Sequence, residues 1–291
     1  MLDANTFTDS DVIAYLKDNF ISLKIDGETK YGSQLFNEYK GSGYPLILFL
    51  DSNKNEIDRF YGSYDASAFL KKLKNIKNGE NTLPSLQAEY KKGNHSVENL
   101  SQLAEKYSER GNDSLATSFH NQILQSKNLP INLFYKSKLY LSIQALKKND
   151  SSMLESYVNQ YPDSPQLKDA INQLLGFYKI NNAVDKELEC FQKYINQLSN
   201  DPWFLNQFSW RMTELNQNLD FALEKINIAL SIIGQNEKGI ANIIDTKAEI
   251  LWKMGKTSEA IEIINEAILY DPTNTYYQEQ KNKFIQSLSN L

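Results

Sequence analysis

The sequence comprises 291 residues, with a formal net charge of −5, an isoelectric point near 5.3 and 41% hydrophobic residues. An acidic chain without a concentrated basic surface is a poor match for a phosphate backbone, so nucleic acid is excluded as a partner. No run of about 18 apolar residues could cross a bilayer, and no charged segment followed by an apolar core indicates an export signal.

Few side chains of the sequence are suited to catalysis. Cys190 is the only cysteine, which excludes an internal disulfide, and His95 and His120 are too widely separated in the sequence to indicate a metal cluster. Glycine-rich phosphate loops are absent as well. We therefore expect no metal, no cofactor and no catalytic residue in the chain as given.

The first 78 residues are predicted to alternate helices and strands. The segment 20–26 (FISLKID) places Ile21, Leu23 and Ile25 on one face of a strand, and the continuous apolar run 46–50 predicts a buried strand. In chain order, the predicted elements are a helix capped by Thr8 or Asp9, a strand over 20–26, a helix over 31–40, strands over 46–50 and 56–62, and a helix capped by Asp65. This order is typical of an α/β layer architecture.

Three of these segments, DVIAYLKDNFISLKID, LFNEYKGSGYPLILFLD and RFYGSYDASAFLKKL, together resemble the later two-thirds of a thioredoxin-like domain. The resemblance covers residues 1–78. It implies that Gly43, Tyr44 and Pro45 lie at the substrate groove and that Pro45 follows a cis peptide bond. Only about 5–6% of X–Pro bonds in folded proteins are cis, so this is a specific expectation.

The family motif that precedes these segments, W-C-x-x-C-K, is absent from the sequence as given. The resemblance implies that its two cysteines carry thiol–disulfide exchange and that the strand before them is the central strand of the sheet. Two explanations stay open. Either the chain is a fragment of a longer protein, which we favour and which the upstream DNA would test, or the strands at 20–26 and 46–50 close up into a three-stranded antiparallel sheet.

From Leu83 onward, a helix–turn–helix pattern replaces the strand pattern. The segment IIDTKAEILWKMGKTSEAIEIINEAILYDPTN resembles a tetratricopeptide (TPR) repeat, and four earlier segments match less well, so the sequence predicts five units. Small side chains at the contact positions allow two antiparallel helices to approach closely. The residues at the family's spacing in the clearest unit are Ala248, Leu251, Gly255, Ala260, Ala267 and Pro272.

The repeat register also explains two residues that could otherwise suggest chemistry. Cys190 takes the small-residue position that Ala222 and Ala260 occupy in the next two units, so we interpret it as a buried apolar side chain. His120 lies beside Phe119 on a helix face, and we interpret it as a packing or surface residue.

A stack of such units typically presents the first helix of each unit on a concave face, where a peptide or a partner's helix binds. In the two clearest units, six polar residues are predicted on that face: Gln207, Arg211, Asn242, Asp245, Glu249 and Lys253. The Lys/Asn arrangement by which some family members hold a C-terminal carboxylate is not visible.

We therefore predict an α/β thioredoxin-like domain over 1–78, a linker helix or loop over 79–96 and an all-α TPR-like solenoid over 97–291. Three functional classes compete: a module that binds a protein or peptide, which we favour, a thiol–disulfide oxidoreductase whose cysteine pair lies in a missing segment, and an architectural protein. The compartment is not identified by the sequence. Without an export signal, the chain as written is expected to be cytoplasmic, whereas a longer protein with a further N-terminal segment is expected to be exported. The sequence identifies neither the partner nor the oligomeric state.

Overall fold

The computed structural model describes residues 2–234 and 239–289. These residues form two compact units, one that ends at Ala170 and one that begins at Ile171. The division falls inside a helix, Leu167–Ile180, which is α9 in chain order.

The first unit opens with a short π-helical turn, Leu2–Thr6, and continues with helices that flank one β-hairpin. Its helices are α1 (Ser10–Asn19), α2 (Lys30–Glu38), α3 (Ala66–Lys77), α4 (Leu83–Lys91), α5 (Val97–Glu109), α6 (Asp113–Leu124), α7 (Ile131–Leu146) and α8 (Ser152–Gln160). Its strands are β1 (Leu46–Leu50) and β2 (Glu56–Tyr61).

The described residues of the second unit form helices joined by short connections. After α9 follow α10 (Val184–Tyr194), α11 (Pro202–Leu215), α12 (Leu219–Ile232), α13 (Ile240–Lys253), α14 (Thr257–Tyr270) and α15 (Thr275–Ser289).

The hairpin forms where the sequence predicts it. β1 and β2 pair antiparallel, with Leu46 opposite Tyr61. Asp51 closes the turn, because its Oδ1 accepts hydrogen bonds from the backbone N–H groups of Asn53 and Asn55, each at 2.8 Å. An apolar run followed by residues with short polar side chains is therefore sufficient to specify this hairpin.

Two helices of this region begin at the predicted aspartates. The Asp9 carboxylate accepts hydrogen bonds from the N–H groups of Asp11 and Val12 at the start of α1. The Asp65 carboxylate accepts one from the N–H of Ala68 at 2.8 Å at the start of α3. Such caps satisfy N–H groups that have no partner within the helix, and each typically contributes about 1 kcal/mol.

The prediction of a strand over 20–26 is wrong. Residues 20–25 are assigned to no helix or strand, no backbone hydrogen bond joins them to β1, and Ile21 and Leu23 are 95% and 82% exposed. Alternating apolar residues indicate that a segment suits a sheet, but a strand also needs a neighbour whose N–H and C=O groups pair with its own.

The alternative of a three-stranded antiparallel sheet is also wrong, because the described residues contain a sheet of two strands, β1 and β2. The order of α1, α2, β1, β2 and α3 follows the prediction. The larger sheet that an α/β thioredoxin-like domain requires is not present in residues 2–234 and 239–289. The predicted α/β thioredoxin-like class is therefore not shown, and this region is a β-hairpin among helices.

Aromatic side chains dominate the core between the hairpin and its helices. Phe60 contacts Phe69 edge-on, with ring centroids 5.6 Å apart, and Phe49 lies 5.7 Å from Phe60. The buried members of this cluster are Val12, Phe49, Phe60, Phe69, Leu73 and Ile76. Burial of each such side chain contributes roughly 1.5–3 kcal/mol, so this cluster holds α1 and α3 against the hairpin.

The prediction of an all-helical region after the hairpin is confirmed for the described residues. Several consecutive helices pack against each other, among them α5 with α6, α11 with α12 and α13 with α14. The last pair shows the predicted small-residue contact, since Ala248 and Ala260 are fully buried. Gly255 ends α13 with a φ of 80°, a conformation that a side chain disfavours.

A cluster of ion pairs joins β2 to α5. Asp58 accepts hydrogen bonds from Lys106 Nζ at 2.5 Å and Arg110 Nη2 at 3.0 Å, and Arg110 Nη2 also lies 2.6 Å from Glu56 Oε1. The Nε and Nη2 atoms of Arg59 donate to the two carboxylate oxygens of Glu56. These contacts connect the predicted domain 1–78 to the predicted repeat region 97–291, whose boundaries remain predictions.

Candidate functional site

Four of the six residues predicted to bind a partner lie in one row on α13. Asn242, Asp245, Glu249 and Lys253 follow one another at intervals of three, four and four residues. Because residues three and four apart are neighbours on a helix surface, these side chains share one face of α13.

Helix α15 supplies hydrogen-bond donors to this row. The Tyr277 hydroxyl donates to Asn242 Oδ1 at 2.6 Å, and the Tyr276 hydroxyl donates to Asp245 Oδ2 at 3.3 Å. Lys283 Nζ donates to Glu249 Oε2 at 2.5 Å. We call these six residues the acidic row: Asn242, Asp245 and Glu249 on α13, and Tyr276, Tyr277 and Lys283 on α15.

Asp245 is the electrostatically unusual member of the acidic row. Asp245 is only 5% exposed, and its Oδ1 atom has no hydrogen-bond partner among the described residues. Burial raises the pKa of Asp245 to about 7, and the nearby Glu249 carboxylate adds to the rise. The site therefore contains a buried acceptor that remains unsatisfied.

Aromatic and cationic side chains continue the row beyond Glu249. Lys253 Nζ lies 5.0 Å and Lys283 Nζ lies 4.5 Å from the ring centroid of Trp252. The indole N–H of Trp252 donates to Ser287 Oγ at 2.9 Å. Cation–π contacts of this kind contribute about 0.5–1 kcal/mol at exposed positions, so the contact of Lys283 with Trp252 helps to hold α15 on α13.

The other two predicted binding residues, Gln207 and Arg211, lie one turn apart on α11, which packs against α13. Gln207 is exposed. Arg211 is mostly buried, and its Nη2 lies 2.8 Å from Glu187 Oε2 while its Nη1 lies 3.0 Å from Glu214 Oε2. The Arg211 guanidinium is thus already neutralised within the unit.

The residues predicted at a substrate groove lie in the first unit, before β1. The Tyr44–Pro45 peptide bond is cis, as predicted. Tyr44 is exposed, stacks on Phe36 with ring centroids 4.4 Å apart, and its hydroxyl donates to the Gly27 carbonyl at 3.4 Å. A role in substrate binding for Gly43, Tyr44 and Pro45 stays a prediction.

Sequence reasoning missed the α15 half of the acidic row. The sequence contains a helix start signal at this point, because Asn274 is a residue type that favours the N-terminus of a helix. In the structure, its Oδ1 accepts a hydrogen bond from the Tyr276 N–H at 3.1 Å. The apolar spacing of Tyr277 and Phe284, which are both buried, also indicates a helix with one packed face. The predicted binding residues belong to the first helices of the two clearest units, so none of them lies after Pro272.

The acidic row presents hydrogen-bond acceptors. The described residues contain no group of three or more His, Cys, Asp or Glu side chains that could hold a metal ion. In the same residues, none of the helices combines the length and the apolar character needed to cross a membrane. The acidic row offers carboxylate and amide oxygens, which accept hydrogen bonds from amide, ammonium or guanidinium donors.

No protein-family profile and no curated protein matches the sequence. Among solved structures, one match is described as "YrrB: a TPR protein with an unusual peptide-binding site". The match has 15% sequence identity and a TM-score of 0.49, and it covers 68% of this chain and 97% of that chain. A TM-score of that size does not establish a shared fold, and the peptide-binding site is a property of YrrB.

Proposed function

We propose that the helical part of this chain is a tetratricopeptide-like module that binds a segment of another protein at the acidic row. The observation that carries the proposal is Asp245, whose buried Oδ1 has no hydrogen-bond partner among the described residues. A buried polar atom without a partner costs about 1–3 kcal/mol. Because Oδ1 is buried, a ligand recovers part of this cost only when the exposed side chains around Asp245 move aside and the ligand supplies a donor.

The chemistry of the row favours a ligand rich in donors. Asp245 and Glu249 lie one turn apart and share one ammonium group, that of Lys283. A lysine, arginine or amide side chain of a bound peptide would complement the remaining negative charge. Asn242, Lys253 and Tyr276 are exposed around the two carboxylates and form an accessible rim, whereas Asp245 and Glu249 themselves are buried beneath it.

The tetratricopeptide assignment rests on the residues of α13 and α14. Ala248, Ala260 and Ala267 are all fully buried at the positions where the family has small side chains. Gly255 follows α13, and Pro272 follows α14. These features support a close antiparallel helix pair followed by a turn.

Peptide selection followed by measured affinity tests this function. A random peptide library displayed on phage is selected against the immobilised full chain, and synthetic copies of the enriched peptides are titrated by calorimetry. We expect the enriched peptides to carry Lys, Arg, Asn or Gln, and Asp245→Asn to weaken their binding about tenfold, which corresponds to about 1.4 kcal/mol.

The matched control is Asp220→Asn, which removes an exposed carboxylate from α12. It should leave peptide affinity within about twofold, since an exposed charge outside the site contributes little. Failure to enrich any peptide, or equal affinity for the wild-type chain and Asp245→Asn, contradicts the proposal.

A second candidate function belongs to the first unit. The order of α1, α2, β1, β2 and α3 supports a thioredoxin-like origin for residues 1–78. Thiol–disulfide exchange requires two cysteines, and Cys190 is the only one in these 291 residues. A longer chain with a cysteine pair ahead of Met1 should reduce insulin in the presence of dithiothreitol, whereas the same chain with both cysteines changed to serine should not.

A further inference from the structure

Helices α9 and α11 of the second unit run in the same direction, side by side. Only residues 181–183 connect α9 to α10, and Glu187 near the start of α10 pairs with Arg211 near the end of α11. Helix α10 is therefore antiparallel to both. Lys179 Nζ lies 2.8 Å from Glu214 Oε2, which joins the C-terminal ends of α9 and α11.

The buried positions of the two helices match in order and spacing. They are Ile171, Leu174, Leu175 and Tyr178 on α9, and Leu205, Phe208, Ser209 and Met212 on α11. In this register, Asn172 and Gly176 of α9 correspond to Asn206 and Trp210 of α11. Because residues three and four apart share a face, these four residues lie on the same side as the pair of Lys179 and Glu214.

Gly176 leaves an open space on this face. It lies in the interior of α9, where glycine is one of the least favourable residues for a helix. A Cβ atom added to Gly176 would have no neighbouring described atom within 4 Å, and Gly176 is not among the residues with a positive φ. Neither packing nor backbone conformation requires glycine here, whereas the close approach of a ligand's main chain does.

Trp210 supplies an aromatic ring at the corresponding position of α11. It is half-buried, and its indole N–H donates to Glu214 Oε1 at 3.2 Å. The same oxygen accepts a hydrogen bond from Lys179 Nζ of α9 at 3.0 Å. Since no atom of the indole lies within 4 Å of the Cβ position of Gly176, a gap remains between the ring and α9.

Two amide side chains lie one turn before this gap. Asn172 and Asn206 are half-exposed, and Oδ1 of each is buried without a hydrogen-bond partner among the described residues. Their Nδ2 atoms make no hydrogen bond with the described residues either. No neighbour therefore fixes the orientation of either amide, and each can present a donor or an acceptor to the main chain of a ligand. We call Asn172, Gly176, Asn206 and Trp210 the Gly176 gap.

The charges around the Gly176 gap balance within the unit. Glu214 accepts hydrogen bonds from Lys179 and Arg211, and Arg211 also donates to Glu187. The charged residues of α9 and α11, together with Glu187, are three of each sign: Lys168, Lys179, Arg211, Asp169, Glu187 and Glu214. A ligand at this position therefore gains nothing from a charge of its own.

We propose that the Gly176 gap binds an uncharged, proline-containing segment of another protein. The proline ring lies on the Trp210 indole, the main chain crosses Gly176, and Asn172 and Asn206 form hydrogen bonds with that main chain. Proline fits because its ring is flat and apolar and its φ is fixed before binding, so less conformational entropy is lost. Proline-rich segments bind other domains in aromatic-lined grooves. The Gly176 gap shares no residue with the acidic row, so its test is independent of the proposed function there.

Titration of a short peptide into the ¹⁵N-labelled full chain tests the proposal by NMR. The probe is acetyl-Gln-Ala-Pro-Ala-Gln-amide, and the indole N–H signals of Trp203, Trp210 and Trp252 are followed, with Trp210→Phe identifying the second. We expect the Trp210 signal alone to shift, with a dissociation constant on the order of 1 mM or lower. The peptide with alanine in place of proline should bind about fivefold more weakly, since it loses the ring contact and the fixed φ.

Filling the gap should prevent binding without unfolding α9. Gly176→Leu should weaken the peptide about tenfold or more, and α9 stays helical because leucine is a better helix former than glycine. Circular dichroism checks the helix content. The matched control is Asn227→Leu at an exposed position of α12, which should keep the affinity within about twofold.

Removing both amides tests the main-chain contacts. The double variant Asn172→Ala and Asn206→Ala should weaken the peptide about tenfold, while the fold loses no hydrogen bond of these side chains. Four results overturn the proposal: an unchanged Trp210 signal, equal shifts of all three indole signals, equal affinity for Gly176→Leu and the wild-type chain, and equal affinity of the alanine peptide. The second of these would show non-specific adsorption.

Discussion

His120 is a buried histidine that makes a hydrogen bond and a ring-stacking contact. Its Nδ1 lies 3.0 Å from Ser137 Oγ, and its ring stacks on Tyr140 at a centroid distance of 4.1 Å. The Tyr140 hydroxyl in turn donates to Asp113 Oδ1 at 3.2 Å. The sequence leaves a packing role and a surface role open for His120, and the structure assigns packing.

The protonation of His120 makes the stability of the first unit depend on pH. Burial, with the Lys136 charge as a smaller cause, lowers the pKa of His120 to about 4. Because this pKa lies below its unfolded value near 6.5, the neutral ring stabilises the fold above about pH 6.5, and this contribution is lost as the pH falls toward 4. We expect a loss on the order of 2–3 kcal/mol in the free energy of unfolding, measured by urea denaturation across this range.

His120→Gln removes the titration and should flatten the pH dependence relative to the wild-type chain. The exposed His95 provides the matched control, and His95→Gln should preserve the wild-type profile. Identical slopes for His120→Gln and the wild-type chain would show that His120 is not the group responsible.

The hairpin and α5 are held together by buried charges. Asp58 is nearly inaccessible and contacts both Lys106 and Arg110, while Glu56 contacts Arg59 and Arg110. In a setting of low dielectric constant, each of these charges depends on its partners for compensation. The contacts therefore fix the position of the β-hairpin against the helices that follow it in the first unit.

Asp58→Asn should destabilise this arrangement strongly. It removes the carboxylate that Lys106 contacts and leaves Arg110 paired with Glu56. Breaking a buried pair in this way typically costs about 3–5 kcal/mol. Chemical denaturation followed by circular dichroism gives the difference in the free energy of unfolding.

The comparison variant for Asp58→Asn is Asp3→Asn, because Asp3 and Lys24 form an exposed ion pair at 2.7 Å. Exposed pairs of this kind contribute about 0–1 kcal/mol. Similar losses for Asp58→Asn and Asp3→Asn would mean that burial does not set the strength of the β2–α5 contact.

Local signals in the sequence predicted the elements that depend on local chemistry. The caps at Asp9 and Asp65, the two strands of the hairpin and the small residues of α13 and α14 are all determined by side chains close in sequence. The prediction of a strand over 20–26 failed because a strand needs a neighbouring strand, which is distant in sequence. The acidic row was found on α13 for the same local reasons, while its α15 half depends on tertiary packing.

At the scale of the whole molecule, the thiol content limits what the 291 residues can do. Cys190 is 8% exposed, within a helix of the second unit, as the small-residue register predicts. A lone buried thiol is a weak nucleophile because its thiolate is not stabilised by solvent. The chain as given therefore has no dithiol with which to reduce a substrate disulfide.

Thiol titration and an insulin-reduction assay test this conclusion. Cys190 should react with Ellman's reagent at least about tenfold more slowly in the folded chain than in denaturant, because the buried thiol must be exposed first. Insulin turbidity should develop no faster than with dithiothreitol alone. Rapid labelling of the folded chain, or insulin reduction above the background, would contradict the assignment of Cys190 as a packing residue.

The position of the indole side chains has a consequence for spectroscopy. All three tryptophans, Trp203, Trp210 and Trp252, belong to the second unit, and the first unit has tyrosine as its longest-wavelength chromophore. Selective excitation of tryptophan therefore monitors the second unit alone. The Trp252 ring lies near the ammonium groups of Lys253 and Lys283, and its indole N–H donates to Ser287 on α15. Its emission should therefore change when a ligand at the acidic row alters these contacts, so the chain contains its own optical reporter.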